Sequence, residues 1–211
     1  GFEIPQASIK IHQITNEIAN TKGILIQDSL AKFKEALEKT TFLIGHNIQF
    51  DINVIGSEYL RIGDKCVLDD FTIIDTMKST INYCQLRVGK EGIIQDVSSA
   101  GVFKDYYKFR VFLDNNDSGI LYKKTDVLPN LNPGDIVSYT INNKGTIKVR
   151  KGFKAPKLEE LYEFIFKEKI KNAHNAAADV DATARCFFEL LRTNFFSTNN
   201  SGLSAENISD F

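Results

Sequence analysis

The chain has 211 residues, enough for one large domain or for one domain carrying a smaller insert. Hydrophobic residues make up 43% and charged residues 25%, as in ordinary globular proteins. The formal net charge of -1 excludes a chain built throughout as a polycation for nucleic acid, though a local site of that kind remains open. No apolar run is long enough to span a bilayer and no signal-peptide pattern opens the sequence, so no membrane partner is expected. Cys66, Cys84 and Cys186 form no CxxC pair, which argues against a zinc site and for a reducing, cytoplasmic setting. The opening "GFEIPQASIKIHQIT" reads like the middle of a longer protein, and the chain is expected to be a fragment.

Residues 1–26 are mixed, with Ile9, Ile11, Ile14 and Ile18 among polar neighbours. "QDSLAKFKEALEK" has helical spacing, with Leu30, Phe33 and Leu37 on one face and Asp28 or Ser29 as the cap. "TFLIGHN" is a short apolar run ending near Gly45, as expected of a buried parallel strand. "FDINVIGSEYLRIG" returns to helical spacing through Ile52, Ile55 and Tyr59. "FTIIDTM" reads as a second buried strand and "KSTINYC" as a helix. The order β-α-β-α predicts an α/β chain built on parallel strands.

From residue 86 the period changes to two. "YKFRVFL" and "DIVSYTI" alternate, separated by the turn sequences "DNNDSG", "NPGD" and "NNKG". Residues 86–152 have the size of a small five-stranded barrel, in which Phe109, Phe112 and Tyr139 are expected as core. Eleven Lys and Arg against seven Asp and Glu give this stretch +4. Bases interleave with aromatics at "FKDYYKFRVF", so Lys104, Tyr106, Tyr107, Lys108 and Arg110 are candidate contacts to single-stranded nucleic acid. Helical spacing resumes at "PKLEELYEFIFKE". The last strong helix is predicted over Ala176–Arg192, with Val180, Ala184, Phe187 and Leu191 inward. The expected organisation is therefore 1–85, an insert at 86–152, closing helices at 153–193 and a flexible polar tail at 194–211.

Asp51 follows "GHNIQF" where a buried strand turns into a helix. Asp179 lies in the first turn of the last helix. In open α/β sheets, sites form at the carboxyl ends of the strands. Two such carboxylates suit a hard divalent cation, and two metals can clamp an in-line phosphoryl displacement. His174, just before the helix, has the chemistry to take a proton from water. Ala176, Ala177 and Ala178 leave room for a substrate backbone. Singly, each residue has a plain structural explanation. The helix dipole alone favours Asp in a first turn, and His46 and Asn47 can satisfy strand-end backbone groups.

The combination "HNIQFD" and "HNAAAD" resembles the second and third motifs of the DEDD-type 3′–5′ exonucleases, in the histidine subfamily that includes the DNA polymerase III epsilon proofreading subunit. "IHQIT" resembles the segment before the second motif, with Gln13 where Gly is usual. The resemblance covers about residues 2–84 and 153–192. It implies a ribonuclease H-like fold and two Mg²⁺ or Mn²⁺ ions. Asp51 and Asp179 would be metal ligands, His174 the general base, and Asn47, Phe50 and His12 substrate contacts. The implied reaction is hydrolysis at a single-stranded DNA 3′ end, with RNA not excluded and a DNA polymerase subunit as a possible partner. The family's opening Asp-x-Glu is absent, since no Asp in the chain has Glu two residues on. The first strands of the fold are thus expected to be missing and this chain alone to be inactive. "LNPGDIVSYTI" faintly resembles OB and cold-shock barrels. A second reading is a degenerate exonuclease scaffold that binds nucleic acid or a polymerase.

Overall fold

The structure is a computed structural model that describes residues 3–65, 68 and 71–196. The stretch with no clear period near the start contains two short helices, α1 (Gln6–His12) and α2 (Asn16–Lys22). Gln13 ends α1 in the left-handed conformation, and the Thr15 side chain caps α2 by accepting from Ile18 N at 3.1 Å. Neither helix buries a residue, which explains the weak periodicity. α3 (Ile26–Leu37) buries Leu30 and Leu37 as the spacing predicts. Its cap is Leu25 rather than Asp28 or Ser29, because the helix begins at Ile26 and so places Asp28 inside its first turn.

β1 (Phe42–Gly45) pairs in parallel with β2 (Thr72–Asp75), in the register Phe42↔Thr72 through Gly45↔Asp75. α4 (Ile48–Arg61) connects them on the chain and buries Ile48 and Tyr59. The helix expected in "KSTINYC" is two single turns, α5 (Thr76–Ser79) and α6 (Ile81–Cys84). Between them the buried Thr80 hydroxyl bonds Thr76 O at 2.7 Å.

α7 (Leu158–Phe166) and α8 (Ala176–Arg192) close this part of the chain. Phe187, Leu190 and Leu191 of α8 join Ile74 and Phe196 in one core, with Phe42, Ile165 and Phe195 against it. Val180, expected inward, is 69% exposed. It shares a helix face with the buried Phe187, seven residues on, but lies near the start of α8, short of the core that this face meets further along. The polar tail expected from residue 194 begins instead with Phe195 and Phe196 in this core, and residues 197–211 lie outside the described ones.

Contacts divide the chain into two compact units, residues 1–80 with 156–211, and residues 81–155. The second unit is a five-stranded antiparallel sheet: β3 (Lys90–Phe103), β4 (Tyr106–Leu113), β5 (Ser118–Lys123), β6 (Ile136–Ile141) and β7 (Ile147–Lys151), in the order β5-β4-β3-β6-β7. β3 serves two partners. Its first residues pair with β6 and the rest with β4, with register shifts at Ile94/Asp96 and Ser99/Val102. The edge strands meet at a parallel bridge, Ile120↔Thr146. Ile94, Val111, Leu113, Val137, Tyr139 and Ile147 form its core. Phe109 and Tyr139 are buried as expected, at 2% and 1% exposure, whereas Phe112 is 38% exposed. Phe112 has the opposite strand parity to Phe109, Val111 and Leu113, so it faces outward. Lys154 N donates to Leu86 O at 2.8 Å, joining the two ends of this unit.

Candidate functional site

β1 ends on a glycine because the chain must turn at once. A Cβ on Gly45 would stand 2.8 Å from Ile48 Cβ, too close for any other residue without a shift. Asn47 then takes the left-handed conformation, with φ 64°, and α4 starts at Ile48. This places Asp51 in the first turn of α4, exposed, at the carboxyl end of β1.

A residue the motif reading passed over fixes this turn. Asp75 ends β2 directly beside Gly45. Its Oδ1 accepts from Asn47 N at 3.0 Å, Met77 N at 3.0 Å and Lys78 N at 3.3 Å. One oxygen therefore caps α5 and ties the two strand ends together. Its Oδ2 is buried without a hydrogen bond, the Lys78 ammonium standing 3.8 Å away. The sequence signal was "IIDTM", an Asp closing an apolar run just before a helix, as N-caps do.

His46 is held at both ring nitrogens. Nε2 lies 3.0 Å from Pro156 O, which accepts only, so Nε2 carries the proton. Nδ1 lies 3.1 Å from Thr76 Oγ1. Burial pushes the His46 pKa below its ordinary value, opposed by the bond to Pro156 O and by the charges of Asp75 and Glu159.

On the other side, Asn175 caps α8 by accepting from Ala177 N at 3.1 Å and Ala178 N at 3.4 Å. Asp179 follows in the first turn, favoured there by the helix dipole. Its Oδ1 accepts the backbone N–H of His174 at 3.2 Å.

Asp51 and Asp179 line the same cavity, of about 750 Å³. β1 supplies Leu43, Ile44 and Gly45 to it, the following turn His46 and Asn47, and α4 supplies Phe50 beside Asp51. From α8 come Ala176, Val180, Thr183 and Phe187. Of the three alanines expected to clear the space, only Ala176 lines it. His174 does not line the cavity. It is in the left-handed conformation, φ 71°, with Nδ1 3.9 Å from Glu159 Oε1 on α7. His12 is also elsewhere. It is the last residue of α1, exposed, and its Nδ1 accepts from Ile14 N at 3.0 Å. The structure thus brings Asp51, Asp179, Asn47 and Phe50 into one cavity and leaves His174 and His12 outside it.

The two carboxylates offer oxygen donors, which suit Mg²⁺ or Mn²⁺ rather than a soft ion, while His46 in the same lining has both ring nitrogens engaged by Pro156 O and Thr76 Oγ1. Two carboxylates are what one Mg²⁺ takes from a protein when substrate phosphate and water complete its shell. They are too few for two ions. Among the described residues, no three His, Cys, Asp or Glu come together in a group able to hold a metal.

In the second unit, Lys104, Tyr106, Lys108 and Arg110 sit on or beside β4. Tyr106 and Arg110 are exposed and Lys108 half-buried. Tyr107, 36% exposed, has the opposite strand parity to Tyr106.

Residues 2–92 match the RNase_T exonuclease family model. That stretch contains Asp51, Asn47 and Phe50, while Asp179 lies beyond it. No curated protein and no solved structure matches the chain. Among the described residues, no helix is long and apolar enough to cross a membrane.

Proposed function

We propose that residues 1–85 and 153–193 form a DEDD-type 3′–5′ exonuclease unit of the histidine subfamily, similar to the epsilon proofreading subunit, acting on single-stranded DNA ends. The observation that carries the reading is the lining of one cavity by Asp51 and Asp179, in a chain whose residues 2–92 match an exonuclease family. A divalent ion bound there would supply Lewis-acid polarisation of the scissile phosphate. Asp51 and Asp179 would hold that ion. Phe50, 65% exposed beside Asp51, stacks on the terminal base, and Asn47 positions the strand end. His174, adjacent to Asp179 through its backbone N–H, takes the proton of the attacking water once substrate orders its ring. The remaining metal ligands, an Asp-x-Glu pair that residues 1–211 do not contain, come from elsewhere in a longer protein.

Release of nucleoside 5′-monophosphate from a 3′-labelled oligonucleotide, with Mg²⁺ or Mn²⁺, tests this in the full-length protein. His174→Ala should lower kcat by about 10²–10⁴-fold with metal affinity nearly unchanged. Asp51→Asn and Asp179→Asn should also weaken Mn²⁺ binding. Equal, small effects of all three would overturn the catalytic reading.

The absence of any three-residue metal-holding group among the described residues favours a second reading, a scaffold that binds nucleic acid without cutting it. On that reading neither the full-length protein nor the chain releases mononucleotide. In either case residues 86–152 are read as an OB-type module. The order β5-β4-β3-β6-β7 and the Ile120↔Thr146 bridge between its edges support that reading.

A further inference from the structure

We infer that the outward face of β4 and β5 is a platform for single-stranded nucleic acid, on which Phe103, Tyr106, Phe112 and Tyr122 stack with bases while Lys108 and Arg110 hold phosphates. Strand parity sorts the side chains of β4 onto two faces. Along β4, Phe109, Val111 and Leu113 are buried, so Tyr106, Lys108, Arg110 and Phe112 share the other side. The register extends that side over the neighbouring strands. Tyr122 of β5 lies opposite Lys108, and Phe103 of β3 lies opposite Tyr106. Directly paired residues project to the same face.

The four aromatic rings on this face are not core. Phe103 is 54% exposed, Tyr106 and Tyr122 40% each, and Phe112 38%. Aromatic side chains of a two-sided sheet ordinarily go inward, as Phe109 and Tyr139 do here. Leaving four outside on one face exposes apolar area that needs an occupant. The cations choose that occupant. Down β4 the outward order is aromatic, Lys, Arg, aromatic, over about 20 Å at strand spacing. Two cations in the centre would oppose burial against an apolar protein surface, whereas a strand of nucleic acid satisfies both features, its bases on the rings and its phosphates on Lys108 and Arg110. Lys104, in the hairpin turn, adds a third cation at the end of the platform, its Nζ 5.7 Å from the centre of the Phe103 ring. Asp96, opposite Phe112, is the acidic residue paired on this face, at the end away from Lys104.

The inference does not rest on the hydrolytic reading, because every residue in it belongs to the unit formed by residues 81–155. Fluorescence anisotropy of labelled oligo(dT) and oligo(U) with the 211-residue chain tests it, with EDTA present so that cleavage plays no part. Binding should weaken steeply as salt rises. Tyr106→Ala and Tyr122→Ala should each lower affinity about 5- to 100-fold. Removing Lys108 and Arg110 should flatten the salt dependence by about 0.7 in log–log slope per charge. Tyr107→Ala, of opposite parity, should leave affinity as it was. Binding of either oligonucleotide supports the platform and tells DNA from RNA. No binding at low salt overturns it, and so does an equal loss with Tyr107→Ala. A dimer that the aromatic substitutions dissociate would assign the face to a second copy of the chain and also overturn it. Should Tyr106→Ala fail to unfold cooperatively, the double change Lys108→Glu, Arg110→Glu decides the matter: abolished binding supports the platform, unchanged binding overturns it.

Discussion

Asp75 satisfies three backbone N–H groups with one oxygen, and two of them belong to an N-terminal helix turn. Truncation would orphan all three. Asp75→Ala should destabilise the protein by about 1–3 kcal/mol in urea unfolding. Asp75→Asn keeps one acceptor oxygen and should recover most of that loss. If Asn is no better than Ala, the contribution comes from charge and not from hydrogen bonds. His46 gives a pH dependence whose sign follows from its burial. The neutral ring is favoured in the fold, so the folded pKa lies below 6.5. As pH falls past that value, the unfolded chain takes up the proton first. The stability contributed by the neutral ring is therefore complete above about 6.5 and declines below it, until the folded pKa is passed. The urea midpoint should fall between pH 7.5 and 5, and His46→Gln should fall less. An identical decline in the variant would assign it to other groups.

At the scale of elements, what was legible depended on whether local spacing decided the outcome. The bounds of α8 followed from one helically spaced run of apolar residues. The insert's strands followed from alternation between turn sequences. Phe112 was misplaced because aromatics in strands are expected inward, although counting by two from Phe109 and Val111 already puts it outside. Of the candidate site, the proximity of two carboxylates to one cavity was readable from strand end and helix start. The place of the His174 ring was not, because a left-handed backbone at residue 174 and Glu159 on a different helix decide it. β1 raises a separate point. Among the described residues it pairs with β2 on one side and with no strand on the other. Ile44, at 36% exposure, lies at the cavity beside it. Hydrogen exchange should show alternate amides of Phe42–Gly45 exchanging fast, and slow exchange at every one of them would mean that another strand covers this edge.

At the scale of the whole molecule, two units with separate cores share one chain. Residues 81–155, expressed alone, should unfold in a single cooperative transition, because their sheet and core are complete within that span. Ile94, 1% exposed, is at the centre of that core, and Ile94→Ala should cost about 2–5 kcal/mol by thermal or urea unfolding. A gradual melt without a cooperative transition would mean that the insert depends on its host. The bond from Lys154 N to Leu86 O has a consequence for how such a chain changes over generations. In a flexible loop, every added residue raises the entropy lost in bringing the ends together. Here the loop is itself folded and clasps its own ends, so the host chain experiences a fixed gap whatever the length between. Growth or shrinkage between those ends leaves the gap unchanged, and the host unit can carry one attached module or another without relearning how to fold.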